Sequence, residues 1–123
     1  MRFTLDRHPT ANLVTNVSPG VIRVGETPIT SSVILSAERI IPDWPVRSSE
    51  ALDLASLAPA LELGPSVLIV GTGSRLVFPR GPLIAELATR GVGLEFMDTP
   101  AACRTFNILV NEDRPVVAAL MVE

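Results

Sequence analysis

The chain has 123 residues, which is the usual length of one domain. Hydrophobic residues make up 47% of it, charged residues 19%, and the formal net charge is −3. Its ten basic residues are all arginines, and they form no run that would neutralise a phosphate backbone. We therefore expect a globular domain with a core that needs no disulfides, and we exclude nucleic-acid binding as its main role.

Residue types that bind metals or act as nucleophiles are scarce in this chain. One cysteine, Cys103, excludes an intramolecular disulfide and a cysteine-rich zinc site, and one histidine, His8, excludes a histidine cluster. No apolar run approaches the roughly 20 residues of a membrane span, and the first residues lack the apolar segment of a secretory signal. We predict a cytoplasmic protein without a metal, a cofactor or a membrane span.

The N-terminal part of the sequence predicts short strands. Residues 1–17 are weakly patterned, and we expect a loosely ordered arm there, followed by one domain over residues 18–123. Val21 to Val24 alternates in polarity, Gly25-Glu26 supplies a turn, and Val33 to Leu35 indicates another short strand. These elements predict an N-terminal β-hairpin layer.

A proline-punctuated segment follows. "IIPDWPV" is expected to be extended, because a residue that precedes proline avoids the helical region. Ser48 or Ser49 is placed to cap a short helix over residues 50–58, which Pro59 would limit.

From residue 65 onward the pattern alternates between strand and helix. The elements, in chain order, are a buried strand at "SVLIVGTG", a helix over residues 80–91 with Leu83, Ile84 and Leu87 as its apolar stripe, a strand at "GLEFM", a helix from about Thr99 to Asn111, and a strand at "PVVAALMV". Strand, helix and strand in close succession predict a parallel crossover. The sequence therefore predicts a three-layer α/β domain with a central mixed, mostly parallel sheet, flanking helices and the N-terminal hairpin layer.

Two loops follow the two expected parallel strands and are the candidate cleft. Ligands of open α/β sheets bind beyond the carboxyl ends of such strands, and neighbouring strands would bring the two loops together. The candidate cleft residues are Gly71, Thr72, Gly73, Arg75, Asp98, Thr99 and Asn107. In this interpretation Arg75 binds an anionic group, Thr72 and Gly73 donate hydrogen bonds, and Asp98 with Asn107 orients a substrate.

Each loop also has a purely structural interpretation. "GTGSR" lacks the third glycine of the dinucleotide fingerprint and the lysine of a P-loop, which favours a tight turn over an anion site. Thr99 is expected to be the N-cap of the following helix, with Pro100 in the first turn and Asp98 at the positive end of the helix dipole. Asp98 would repel an anionic ligand.

Three further side chains have alternative roles. Cys103 lies on the shoulder of an apolar helical stripe without a base beside it, so we expect an inert, buried thiol. Asn107 either reaches residues 71–75, called the glycine loop below, or faces water. Trp44 either closes over a sheet edge or contacts a partner protein.

The sequence resembles a known protein family. The most specific residues are Gly71-Thr72-Gly73 and Asp98-Thr99 through Thr105-Phe106-Asn107, and the resemblance runs from about Gly20 to Leu120. The family consists of uncharacterised bacterial and archaeal proteins and includes mitochondrial complex I assembly factor 3 and the adipogenesis-associated domain-containing protein. The resemblance implies a three-layer α/β fold, no established enzymatic activity and no cofactor, and it implies assembly through protein partners for the mitochondrial member.

Two functions of different classes follow from these observations. The first is a non-enzymatic binding or assembly module with a protein partner, which Trp44 is the candidate residue to contact. The alternative is a small-ligand or enzymatic site in the cleft between residues 71–75 and 98–100. The lack of a catalytic base favours the binding or assembly module.

Overall fold

The computed structural model describes residues 10–79 and 81–123, and its strands form two sheets. The strands are β1 (Val14–Ser18), β2 (Val21–Val24), β3 (Thr27–Ile29), β4 (Val33–Ser36), β5 (Ile40–Ile41), β6 (Val67–Gly71), β7 (Gly93–Met97) and β8 (Val116–Leu120). The α-helices are α1 (Ala58–Leu61), α2 (Leu83–Ala88) and α3 (Thr99–Asn111). One sheet is antiparallel with the order β1-β2-β3, and the other has five strands in the order β5-β4-β8-β6-β7.

The five-stranded sheet is mixed, as the sequence predicts. Strand β6 lies parallel to both β7 and β8, and β4 runs antiparallel to β8. All five residues of β8 are buried, as are the last four of β6, because both strands have neighbours at their edges and side chains packed on both faces. The predicted α/β fold class is confirmed, with a three-stranded sheet as the N-terminal layer.

Each face of the five-stranded sheet carries its own hydrophobic core. The α3 core lies between the sheet, α3 and the three-stranded sheet, and it includes Ile22, Ile69, Cys103, Phe106 and Val110. The α2 core lies on the opposite face with α1 and α2, and it includes Trp44, Leu57, Leu68, Leu83 and Leu87. Alternating residues of one strand, such as Leu68 and Ile69, feed the two cores because successive side chains point to opposite faces.

Two expectations for the first half of the chain differ from the structure. The arm expected over residues 1–17 ends too late, because residues 14–17 belong to β1. Residues 1–9 of that arm lie outside the described part of the chain. The helix expected over residues 50–58 does not form: a short 3₁₀ helix covers Ser49–Ala51, and a turn follows it. In that turn the Ser56 N–H donates to Asp53 Oδ1 at 2.7 Å and the Asp53 N–H donates to Ser56 Oγ at 3.0 Å. These side chains compete with helical backbone bonds.

Both later helices form, but α2 covers only Leu83–Ala88 and not the expected residues 80–91. In α2, Leu83 and Leu87 are buried, but Ile84 is 50% exposed, so the predicted apolar stripe is too wide. Helix α3 covers Thr99–Asn111, the range that the sequence predicts. Pro59, expected to end a helix, instead lies in the first turn of α1, where its missing N–H costs no hydrogen bond.

Candidate functional site

The glycine loop after β6 uses its backbone N–H groups within the protein. The Thr72 N–H donates to the Met97 carbonyl at 2.8 Å, and the Gly73 N–H donates to Thr99 Oγ1 at 2.9 Å. The Ser74 N–H donates to Glu123 Oε1 at 3.0 Å. Since three successive donors already have acceptors, this loop is a braced turn and offers no open cradle for an anion.

Thr99 joins three segments of the fold. Its buried hydroxyl accepts the Gly73 N–H and donates to the Met121 carbonyl at 2.7 Å, while its N–H donates to the Gly73 carbonyl at 2.8 Å. The start of α3 is thereby fixed to the glycine loop and to the chain after β8. Gly71 permits this approach, since a Cβ there would lie 3.0 Å from Thr99 Oγ1 and 3.0 Å from Leu120 Cδ2.

Asp98 is the N-cap of α3, so the assignment of Thr99 to that position is wrong. Asp98 has extended backbone angles, and its side chain accepts the Ala101 N–H at 2.8 Å. Pro100 lies in the first turn, as predicted. The Asp98 carboxylate is therefore committed to the helix end, and the hydroxyl of Thr99 is released for the bridge to the glycine loop.

A carboxylate of the chain itself lies where the sequence predicted an anionic ligand. The hydrogen bonds from Ser74, first from its backbone and then from its side chain, lower the pKa of Glu123, and the positive charge of Arg75 adds to this effect. The Arg75 side chain is exposed. Nothing in the local sequence indicates the contact between Ser74 and Glu123, because the two residues are 49 positions apart.

Asn107 does not belong to the candidate cleft. Its side-chain amide donates to the Val14 carbonyl at 2.8 Å and accepts the Val14 N–H at 2.9 Å. This pair of hydrogen bonds imitates a neighbouring strand and attaches β1 to the middle of α3. Asn107 thus contacts β1 and not the glycine loop, and its side chain is half-buried.

A cavity of about 250 Å³ lies beside the glycine loop. Its walls come from the β1–β2 turn at Pro19-Gly20, from Gly73-Ser74, from the start of α3 and from residues 121–123. Gly73 and Thr99 are the candidate cleft residues that line it. Apolar side chains and the carboxylate of Glu123 share its surface, so the cavity disfavours an anionic ligand.

Cys103 has the environment of an inert thiol. It is 2% exposed, and burial raises the pKa of its thiol to about 12, an effect that the nearby Arg104 charge opposes only in part. A protonated, enclosed thiol is a poor nucleophile. In residues 10–79 and 81–123 no group of three or more His, Cys, Asp or Glu side chains is placed to hold a metal ion.

Trp44 is a core residue. It is 4% exposed, it packs in the α2 core, and its indole N–H donates to the Ser56 carbonyl at 2.8 Å. Its backbone N–H donates to Ser32. This burial argues against Trp44 as the contact residue for a partner and favours its structural role over the sheet.

Comparison with known proteins identifies the family. A family model described as protein of unknown function (DUF498/DUF598) matches residues 14–121. The chain belongs to this family. The crystal structure of a protein from Bordetella parapertussis is 36% identical, with a TM-score of 0.87 over 94% of this chain and 99% of that one. The fold and the family resemblance expected from the sequence are thus confirmed.

Two relatives have names that indicate a role or a location. NADH dehydrogenase [ubiquinone] 1 alpha subcomplex assembly factor 3 of Danio rerio is 40% identical over 83 residues, which are 66% of this chain and 48% of that protein. The 13 kDa major membrane protein of Francisella tularensis is 29% identical over 97 residues, which are 78% of this chain and 77% of that protein. The chain thus spans about half the length of the assembly factor.

In the part of the chain that the structure describes, no helix is suited to cross a membrane. None of its helices combines the length and the apolar composition that a bilayer requires. The longest, α3, has 13 residues and carries Arg104 and Asn107.

Proposed function

We propose that this protein is a non-enzymatic binding module that assists the assembly of a protein complex. The observation that carries the proposal is the similarity to NADH dehydrogenase assembly factor 3, which reaches 40% identity. Complexes of the respiratory chain are the class of partner that this relationship favours. The chain would act by binding folding intermediates or subunits, and no chemical step is required of it.

The chemistry of the candidate cleft supports a binding role over a catalytic one. The glycine-loop amides, Asp98 and the hydroxyl of Thr99 already have partners within the protein, and the thiol of Cys103 is buried and protonated. Catalysis by a nucleophile requires an activated group that a substrate can reach. None of these groups meets that requirement.

A small-ligand site is the second candidate, and the cavity beside the glycine loop is the observation that favours it. Its volume of about 250 Å³ suits a small, largely apolar molecule. The carboxylate of Glu123 at its wall would prefer a hydrogen-bond donor or a cation on that molecule. This ligand differs in charge from the anionic group that Arg75 was expected to bind.

In-cell crosslinking followed by affinity purification tests the assembly proposal. Tagged protein should capture subunits of a respiratory complex, whereas a Leu68→Asp variant, which places a charge in the core, should capture only chaperones. Separation of the cells into cytoplasm and membranes tests the expected cytoplasmic location in the same preparation. Capture of no partner beyond those of the unfolded control, together with a metabolite that raises the melting temperature, would favour the ligand site instead.

A further inference from the structure

In the described part of the chain, the two sheets have four outer strands, β1, β3, β5 and β7. An open strand edge can pair with another chain, and proteins usually block such edges. Three of these four edges are obstructed. Asn107 binds both backbone groups of Val14 in β1, Pro28 removes an N–H from β3, and β5 has two residues and is followed by Pro42.

Strand β7 is the edge without such an obstruction. The Gly93 N–H donates to Ser66 at 2.9 Å and the Met97 carbonyl accepts from Thr72 at 2.8 Å, which fixes the register with β6 at both ends. Alternate residues of a paired strand direct their backbone groups to the same side. Gly93, Glu95 and Met97 therefore bond to β6. The N–H and C=O groups of Leu94 and Phe96 point away from β6, where no described strand lies.

The surroundings of this open edge are apolar on one face and acidic on the other. The side chains of Leu94 and Phe96 pack on the α2 core and are half-buried. Phe78, which is 63% exposed, lies edge-to-face against Phe96 with ring centroids 6.1 Å apart. Glu95 is exposed on the opposite face, between the two open backbone positions.

The chemistry of the β7 edge favours some binding partners over others. Lipid chains cannot satisfy open N–H and C=O groups, so membrane insertion of this edge is unfavourable. A second copy is also disfavoured. Antiparallel pairing of two β7 strands through all the open groups of Leu94 and Phe96 would place Glu95 directly opposite Glu95 of the other copy, and like charges in that position destabilise a sheet.

We propose that β7 binds an extended segment of a partner protein as a sixth strand, and that this segment carries a basic residue between two apolar ones. Its backbone would bond to Leu94 and Phe96, its apolar side chains would lie beside Phe78, and its basic side chain would face Glu95. Addition of a strand to an open edge is a recurrent mode of peptide recognition. The inference rests on the proposed function, because it names the surface through which a binding module would hold its partner.

Peptide binding tests whether β7 prefers a segment with a basic residue opposite Glu95. The probe is a short, capped, fluorescently labelled peptide with a central valine, arginine and valine, and the matched control has glutamate in place of arginine. The arginine peptide should bind about tenfold more tightly than the glutamate peptide, and the Glu95→Arg variant should reverse the order. A third peptide, N-methylated at the amides that would face β7, should not bind. Equal binding of all three peptides, or no binding to any, would overturn the proposal.

Hydrogen exchange tests the edge itself. In the free protein the amides of Leu94 and Phe96 should exchange rapidly, whereas those of Glu95 and Met97 should be protected by their bonds to β6. The arginine peptide should then slow exchange at Leu94 and Phe96. Protection of these two amides in the free protein at low concentration would overturn the proposal, and protection that grows with protein concentration would indicate pairing of two copies instead.

A pair of variants separates this surface from the proposed function. Leu94→Pro removes the outward N–H, and Leu94→Ala removes the same apolar side chain but keeps that N–H. Trp44 fluorescence checks that both variants fold. The proline variant should lose the peptide and the co-purified partner, and the alanine variant should retain both. A partner captured equally by both variants would leave the assembly role in place and remove β7 as its contact.

Discussion

At the scale of the residue, burial sets the chemistry of Cys103. The thiol is enclosed in the α3 core, and desolvation raises its pKa from 9.0 to about 12, while the charge of Arg104 acts weakly in the opposite direction. The folded state therefore holds the thiol proton to a higher pH than the unfolded state does. Stability and pH are linked through this difference.

Alkaline unfolding should report this linkage. The contribution of Cys103 is complete below pH 9, and the free energy of unfolding should fall as the pH rises from 9 towards 12, because the unfolded chain releases the proton first. The fall should not exceed about 4 kcal/mol, since one pKa unit corresponds to about 1.4 kcal/mol. Urea titrations at a series of pH values measure it.

The composition of the chain leaves few other groups that would contribute to this pH dependence. The sequence contains neither lysine nor tyrosine, the other side chains that titrate in this window. A Cys103→Ala variant should lose most of the pH dependence above pH 9. The same slope in the variant and in the wild-type protein would mean that burial does not raise the pKa of this thiol.

At the scale of the element, one side chain fastens the N-terminal layer to the helix beneath it. Asn107 is the residue of α3 that bonds to both backbone groups of Val14, 93 positions earlier in the chain. Helix α3 itself packs on β6 and β8. Loss of the amide would leave both backbone groups of Val14 dependent on water, at the outer strand of a small sheet.

An Asn107→Ala variant should lower the free energy of unfolding by about 1–3 kcal/mol, because buried or partly buried polar groups lose their partners. Hydrogen exchange at Val14 should accelerate more than exchange in β6. Ile108→Ala is a matched control on the same helix, since Ile108 is 56% exposed and its truncation should cost little. Equal effects of the two variants would show that the contact does not hold β1.

At the scale of the whole molecule, two cores share one sheet. The chain has one tryptophan and one cysteine, and they report on different faces: Trp44 lies in the α2 core and Cys103 in the α3 core. Strands β6 and β8 contribute side chains to both cores. A sheet that supports both layers couples them, and small domains usually unfold in one step.

Tryptophan fluorescence and thiol labelling should therefore give the same unfolding midpoint in urea. The fluorescence of Trp44 follows the α2 core, and pulsed alkylation of Cys103 follows exposure of the α3 core. Each probe should also give the same dependence of free energy on urea concentration. Labelling of Cys103 well below the fluorescence midpoint would mean that the three-stranded layer opens separately.

The sequence determines those elements of the fold that depend on residues close together in the chain. The apolar run of β6, the strand β7 and the range of α3 depend on residue spacing within a few positions, and each was predicted correctly. The helix expected over residues 50–58 failed because the hydrogen bonds between Asp53 and Ser56 stabilise a turn there. Propensity is too weak to override such local competition.

The candidate site depended on contacts between distant residues, which only the tertiary structure decided. Its location at the ends of β6 and β7 followed from the sequence, since parallel strands end at the same edge. The hydrogen-bond partners of its polar groups did not follow from the sequence. Thr99 reaches residues 22 and 26 positions away, Ser74 meets Glu123 across 49 positions, and Asn107 meets Val14 across 93. Hydrogen bonds depend on distance in space, and a single sequence records only distance along the chain.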